Sequence, residues 1–262
     1  MKEKVTASVI SQQEIAINIY DMWIATDLAA QAVPGQFICV YPKDKSTLLP
    51  RPISICEVAK DKKALRIVYR IAGKGTTEFS GYKAGDTVDI LGTLGNGFPA
   101  EKAEGKKVFL MGGGIGVPPI LELAKVLYDQ GLAKEDIQIV VGYRDSQLFL
   151  LEDLAQYGTV YVATEDGSAG TRGNVMNAIE ANGISADMIF ACGPMPMLRA
   201  IKKYAQAKQI KAYISLEEHM ACGVGACLGC VVKTKEVDHH SHVHNARICT
   251  DGPVFEADEV EI

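Results

Sequence analysis

Four of the seven cysteines in this chain, Cys222, Cys227, Cys230 and Cys249, fall near its C-terminus in the order C-x₄-C-x₂-C…C. This feature constrains the chain most, because a tight cysteine group in an intracellular protein reads as a metal or cluster site. The spacing is that of plant-type [2Fe–2S] ligation. Four thiolates must converge on two irons, so a short loop has to wrap the cluster. Glycines between the cysteines let the backbone take the dihedrals this needs. They also leave amide N–H groups free to point at sulfur, which tunes the reduction potential. Zinc fits less well, since a Cys₄ zinc site usually uses two separated C-x₂-C knuckles and only one is present. A Rieske centre would need two histidine ligands, and four cysteines already complete the set.

The other cysteines, Cys39, Cys56 and Cys192, are isolated. The first twenty-one residues mix charged and polar residues with β-branched ones and lack the apolar stretch of a signal peptide. No run of apolar residues is long enough to span a bilayer. These features together predict a cytoplasmic protein without a membrane segment. The formal net charge of −5 and the scattered Lys and Arg residues argue against a nucleic-acid partner.

At 262 residues the chain is about right for two domains and a small appendage. Residues 5–19, 36–41, 53–58, 64–71 and 87–91 read as strands, separated by turn signals at 34–35, 73–75, 84–86 and 92–97. Short strands at such spacing predict an antiparallel barrel or sandwich. Strands at 107–111, 137–143, 159–164 and 188–191 then alternate with helices at 118–130, 148–157, 174–182 and 196–208. That alternation predicts a parallel sheet covered on both faces. The expected fold is thus multidomain, β followed by α/β: a barrel at 1–100, a nucleotide-binding α/β domain at 101–211, and a [2Fe–2S] segment at 212–262.

Two turns of the second domain suit a nucleotide. Gly112-Gly113-Gly114 lies between a strand and a helix, where unpaired N–H groups and the positive end of the helix dipole favour a pyrophosphate. It is not G-x-G-x-x-G, so the strict Rossmann fingerprint is absent. Cys192-Gly193-Pro194 also ends a strand and opens a helix, at the carboxyl edge where ligands of parallel sheets sit. Glycine turns also serve plain topology, and Cys192 reads equally as a packed thiol.

In the barrel region, Arg51-Pro52-Ile53-Ser54, Val68-Tyr69-Arg70 and Gly75-Thr76 each carry a weak signal. An Arg suits a phosphate, a Ser a flavin heteroatom and a Tyr stacking; an Arg-Pro pair is also an ordinary turn, and a strand Tyr is ordinary core. Their order, followed by G-G-G-x-G-x-P-P and C-G-P, resembles the ferredoxin–NADP reductase superfamily over residues 1–210. The C-terminal cysteines, the run Gly92-Thr93-Leu94-Gly95-Asn96-Gly97-Phe98 and the E-E-x-M-x-C-G-x-G-x-C stretch make the whole chain similar to the electron-transfer subunits of class 1B dihydroorotate dehydrogenases. His219 departs from the Arg or Lys expected there.

The resemblance implies that Arg51, Pro52, Ile53, Ser54, Val68, Tyr69, Arg70, Gly75 and Thr76 hold FAD. Arg51 would sit near the diphosphate and Ser54 near the ring. Gly112, Gly113, Gly114, Cys192 and Gly193 would border NAD, and the four C-terminal cysteines would hold the cluster. It also implies an FMN-containing catalytic partner in a hetero-oligomer, a heterotetramer in this family. Electrons from dihydroorotate would pass through [2Fe–2S] and FAD to NAD+ in pyrimidine biosynthesis. Flavin exchanges two electrons with nicotinamide and one with a cluster, so it belongs between them. No catalytic acid or base is expected. Glu165-Asp166 would repel a 2′-phosphate and favour NAD, while Arg144 and Arg172 nearby argue the other way.

Two other readings remain open. One is the small subunit of an NADH-dependent ferredoxin:NADP oxidoreductase or sulfide dehydrogenase. The other is a non-enzymatic iron–sulfur redox sensor, which leaves the R-P-x-S and glycine motifs unexplained. His239, His240, His242 and His244 read as a solvated hairpin tip rather than as a second metal site.

Overall fold

The computed structural model describes residues 3–237 and 242–262. His239 and His240 lie outside the described residues. Six strands, β1 (Glu3–Ala16), β2 (Ile19–Ala25), β3 (Phe37–Tyr41), β4 (Arg51–Val58), β5 (Ala64–Arg70) and β6 (Thr87–Leu94), close into an antiparallel barrel. Their order is β1-β2-β5-β4-β3-β6, and β6 pairs back onto β1, so no edge is left open. Period-two alternation sorts the side chains. On β3, Ile38 and Val40 enter the barrel core, while Phe37 and Cys39 pack outside it.

Two sequence expectations change here. The run read as one strand over 5–19 is β1 and the turn at Asn18, φ 60°, that leads into β2, a strand the sequence did not announce. Asn tolerates that left-handed conformation, and the Glu14 carboxylate accepts from its amide at 2.8 Å. The turn at 73–75 opens a helix, α1 (Lys74–Ser80), whose Thr76 hydroxyl accepts from the amides of Ala72 and Gly73 at 2.9 and 3.2 Å.

The following chain alternates β7 (Val108–Gly113), α2 (Pro118–Asp129), β8 (Ile137–Tyr143), α3 (Leu151–Ala155) and β9 (Thr159–Thr164). Next come β10 (Thr171–Arg172), α4 (Val175–Asn182), β11 (Met188–Cys192), α5 (Met195–Lys208) and β12 (Lys211–Ser215). A hairpin of β13 (Val231–Lys233) and β14 (Asn245–Arg247) precedes β15 (Val254–Glu256). The sheet order is β10-β9-β8-β7-β11-β12-β15, parallel except for β15, which runs antiparallel to β12. Every residue of β7 and β11 is buried, as strands covered on both faces must be. Leu121, Leu123 and Leu127 of α2 cover one face; Ile179 of α4 and Leu198 and Ile201 of α5 cover the other.

Buried ions fasten the barrel to the sheet. Arg66 on β5 donates to both Asp21 oxygens (3.0 and 2.9 Å), to Glu57 (3.1 Å) and to Asp153 of α3 (3.0 Å). From α2, Lys125 donates to the Val58 carbonyl at 2.6 Å and Glu122 accepts from the Val58 amide at 2.8 Å. Desolvation raises the Glu122 pKa to about 7, against the pull of the Val58 amide and the Lys125 ammonium. Cys56 is buried in this region as a core thiol, its pKa pushed well up by desolvation. Among the described residues, no helix is long and apolar enough to cross a membrane.

Candidate functional site

A cleft of about 480 Å³ opens where barrel, sheet and C-terminal segment meet. Arg51, Pro52, Ile53 and Ser54 enter it from β4, Val68, Tyr69 and Arg70 from β5, and Thr76 from α1. Gly75 sits behind: a Cβ there would stand 2.9 Å from Nε of Arg51. The missing side chain lets that guanidinium lie across the start of α1, while its Nη1 donates to the Leu49 carbonyl at 2.6 Å. Tyr69 is fixed by stacking on Tyr20, with ring centroids 5.9 Å apart, and by donating to Gln12 at 2.8 Å.

The cleft has further walls, which the sequence did not place there. Phe37, Ala72, Ile115, Ser215, Leu216 and Pro253 line it, together with Glu217, Glu218, His219 and Met220. Burial raises the Glu217 pKa, opposed by the Arg70 charge. The E-E-x-M run was the available signal, but nothing in its composition says that it faces the barrel.

The two glycine turns meet beside this cleft. Strand β7 runs on through Gly112 and Gly113, and Gly112 is the register partner of Cys192 on β11. Their carboxyl ends form the switch point of the sheet, since β7 has the later β8 on one side and β11 on the other. Gly116 also proves necessary, because a Cβ there would lie 2.3 Å from the Cys192 carbonyl oxygen. The Cys192 side chain is buried, with its pKa raised by desolvation, so the thiol is packed.

The C-terminal thiols fall into two pairs. Cys222 and Cys227 form the first, and Cys230 and Cys249 the second. The first pair lies outward, with Cys227 exposed, and the second is buried. Desolvation opposes the Cys222 thiolate, but the amides of Val224, Cys227 and Ala226 and the Cys227 side chain outweigh it and lower the pKa to about 6. Cys249 is pushed up to about 11, first by burial and then by Cys230. Gly223 and Gly225 adopt φ values of 68° and 81°, which permit the wrap. Among the described residues, no three Cys, His, Asp or Glu side chains group as ligands of one ion. Four thiols, two outward and two buried, are the donor set that a two-iron cluster requires.

A fifth sulfur lies close by. Burial, followed by the charges of Cys249, Cys222 and Cys230, pushes the Cys39 thiol up to about 12. The 92–98 run ties the barrel to this segment. The Asn96 side chain donates to the carbonyls of Thr250 and Asp251 at 3.3 and 2.9 Å, just past Cys249.

Two family models match the chain. One is described as the iron–sulfur cluster binding domain of dihydroorotate dehydrogenase B and covers residues 217–261. The other is an oxidoreductase NAD-binding domain and covers residues 110–203. The dihydroorotate dehydrogenase B (NAD(+)) electron transfer subunit of Bacillus mycoides is 44% identical over 264 residues, spanning 99% of both chains. Its Streptococcus mutans counterpart is 43% identical over 262 residues, spanning 99% of this chain and 98% of the relative. Among solved structures, one of an NADH-dependent reduced ferredoxin–NADP oxidoreductase aligns with a TM-score of 0.83 and 27% identity, over 100% of this chain and 91% of that one. A ferredoxin–NADP+ reductase from Neisseria gonorrhoeae with bound FAD and NADP shares the fold at a TM-score of 0.66 and 15% identity, over 78% of this chain and 91% of that one. With whole-length identity at this level, and with the cleft, the glycine crevice and the paired thiols in the order described, the chain belongs to the family of dihydroorotate dehydrogenase B electron transfer subunits.

Proposed function

We propose that this chain is the electron-transfer subunit of an NAD-linked dihydroorotate dehydrogenase, serving pyrimidine biosynthesis in the cytoplasm beside an FMN-containing catalytic partner. Its cofactors are FAD, a [2Fe–2S] cluster and NAD. When bound, the flavin supplies the conversion between two-electron exchange with nicotinamide and one-electron exchange with the cluster.

The chain's own residues bind and position. Arg51 would hold the FAD diphosphate with its guanidinium, and Gly75 leaves that group room. Ser54 faces the flavin ring, and Pro52, Ile53, Val68, Tyr69, Arg70 and Thr76 shape the rest of the cleft. Gly112, Gly113, Gly114, Cys192 and Gly193 border NAD through their backbone. Cys222, Cys227, Cys230 and Cys249 would together hold the [2Fe–2S] cluster through their thiolates. No side chain is assigned as acid or base. The chain divides by task into 1–100 for flavin, 101–211 for nicotinamide and 212–262 for the cluster. The acidic pair Glu165-Asp166 directly follows β9 and favours NAD over NADP.

One observation carries this reading. The segment that lines the cleft through Met220 supplies its first thiol at Cys222, at most about 7 Å of chain further on. Flavin site and cluster site are therefore neighbours by construction. The outward pair is flanked by exposed Val224 and Leu228, which suits a docking surface for the catalytic partner. The 0.83 TM-score favours a second reading with the same architecture, the small subunit of a ferredoxin–NADP oxidoreductase. The higher identity to the dihydroorotate dehydrogenase subunits, 44% against 27%, decides between them.

The test is to titrate the purified chain with NADH under anaerobic conditions and follow its visible spectrum. The proposal expects flavin and [2Fe–2S] bands to bleach together. Bleaching of flavin alone would remove the cluster from the relay.

A further inference from the structure

We propose that Cys39 is a positioning residue for the cluster, seating its binding loop on the barrel strand that also walls the flavin cleft. The proposal rests on the assignment of Cys222, Cys227, Cys230 and Cys249 as cluster ligands.

Three observations lead to it. Strand β3 presents Phe37 and Cys39 on its outer side, two residues apart, while Ile38 and Val40 fill the barrel. Phe37 lines the cleft. Cys39 is fully buried, in one apolar cluster with Met220, Cys230 and Cys249. The contact is close: a Cβ on Gly223 would stand 2.9 Å from Sγ of Cys39 and 3.2 Å from Cδ1 of Leu94. Gly223 is the residue after the first ligand, and its φ of 68° already sets the turn of the loop.

A buried cysteine on a strand is ordinarily packing in the core of its own domain. Cys39 is not in that core. It stands on the opposite face of the strand, against Gly223 of the loop and in the apolar cluster that also holds Cys230 and Cys249. The Cys39 side chain, with Leu94 beside it, therefore sets how far the loop stands from the barrel. Along β3, the same backbone carries the cleft wall at Phe37 and the loop contact at Cys39. Moving this contact moves the ligand loop relative to the flavin cleft.

The test compares Cys39→Ser and Cys39→Val in the full chain with both cofactors loaded. Ser withdraws the sulfur from Gly223, and Val adds a branch against it. Three properties are read: the EPR g-values of the reduced cluster, the rate of iron release to a chelator, and the rate of cluster reduction by NADH in stopped flow. We expect shifted g-values in both variants and release about fivefold faster, the equivalent of roughly 1 kcal/mol of lost packing. We also expect slower cluster reduction while the FAD content is kept. Should Val prevent folding, the Ser variant decides alone. If the wild type shows its cluster and the variants match it in g-values, release and reduction rate, Cys39 is plain packing and the proposal falls. If the wild type holds no cluster, the ligand assignment itself has failed, and the proposal falls with it.

Discussion

Replacing Gly75 with Ala separates stability from flavin binding, because the two effects have opposite signs. The new methyl carbon would stand 2.9 Å from Nε, 3.0 Å from Cζ and 3.1 Å from Nη2 of Arg51. The guanidinium must then give way by a few tenths of an ångström. The fold loses little, since the group is the end of a flexible side chain. Gly75 lies in the first turn of α1 and does not occupy the left-handed region, so Ala fits its backbone. Ala also favours the helix by about 0.5–1 kcal/mol. The cost falls on FAD. A hydrogen bond to a charged group contributes about 1.5–3 kcal/mol, and losing half of it weakens binding by about 1 kcal/mol, or roughly fivefold. Thermal unfolding of the flavin-free chain measures the first effect, and fluorescence of flavin released on dilution measures the second. The expected result is an unfolding temperature at or above wild type with FAD released at least several-fold faster. Retention equal to wild type would refute the placement of Arg51 at the phosphates. A lowered unfolding temperature would refute the helix argument.

Further perturbations probe the same framework. Cys227→Ser should abolish the [2Fe–2S] absorbance and leave flavin bound, while Arg51→Ala should lower FAD content and leave the cluster; one change removing both would overturn the two-site division. Arg66→Met strands the Asp21 carboxylate, which is only 3% exposed, and should cost about 3–5 kcal/mol in urea unfolding; a loss under about 1 kcal/mol would contradict the buried network. Glu122 has a folded-state pKa of about 7 against the ordinary 4.5. The folded chain thus binds more protons between those values, and stability should fall as pH rises from about 4.5 to 7, by up to roughly 3 kcal/mol. Glu122→Gln should flatten that slope, and an unchanged slope would place its origin elsewhere.

The parts legible in the sequence were those with local signals. Glycine and proline turns bound β3 and β6 and flank the β4–β5 pair, and β7 to β9 alternate with helices of clear period. The cysteine spacing singled out the four thiols proposed as cluster ligands, because four thiols so close in sequence have few other uses. The β1–β2 hairpin escaped because it turns at Ile17-Asn18, without glycine or proline. The helix read over 148–157 shrank to Leu151–Ala155, since Leu150 takes a left-handed φ of 63° that no local signal announces. Strands β12 and β15 are short, and their pairing joins distant parts of the chain, which only tertiary packing decides. For the same reason the cleft wall at 215–220 and the contact of Cys39 with Gly223 were invisible. Each depends on where the C-terminal segment folds back against the barrel.

The measurement that bears most directly on the central claim is dihydroorotate-dependent reduction of NAD+ by this chain reconstituted with its FMN-containing partner, with the visible spectrum recorded throughout. The account predicts NADH formation only when both subunits are present, and bleaching of both the flavin and the [2Fe–2S] bands by dihydroorotate. Bands that respond to NADH but stay unchanged with dihydroorotate and the partner would contradict it, leaving a relay that serves a different substrate.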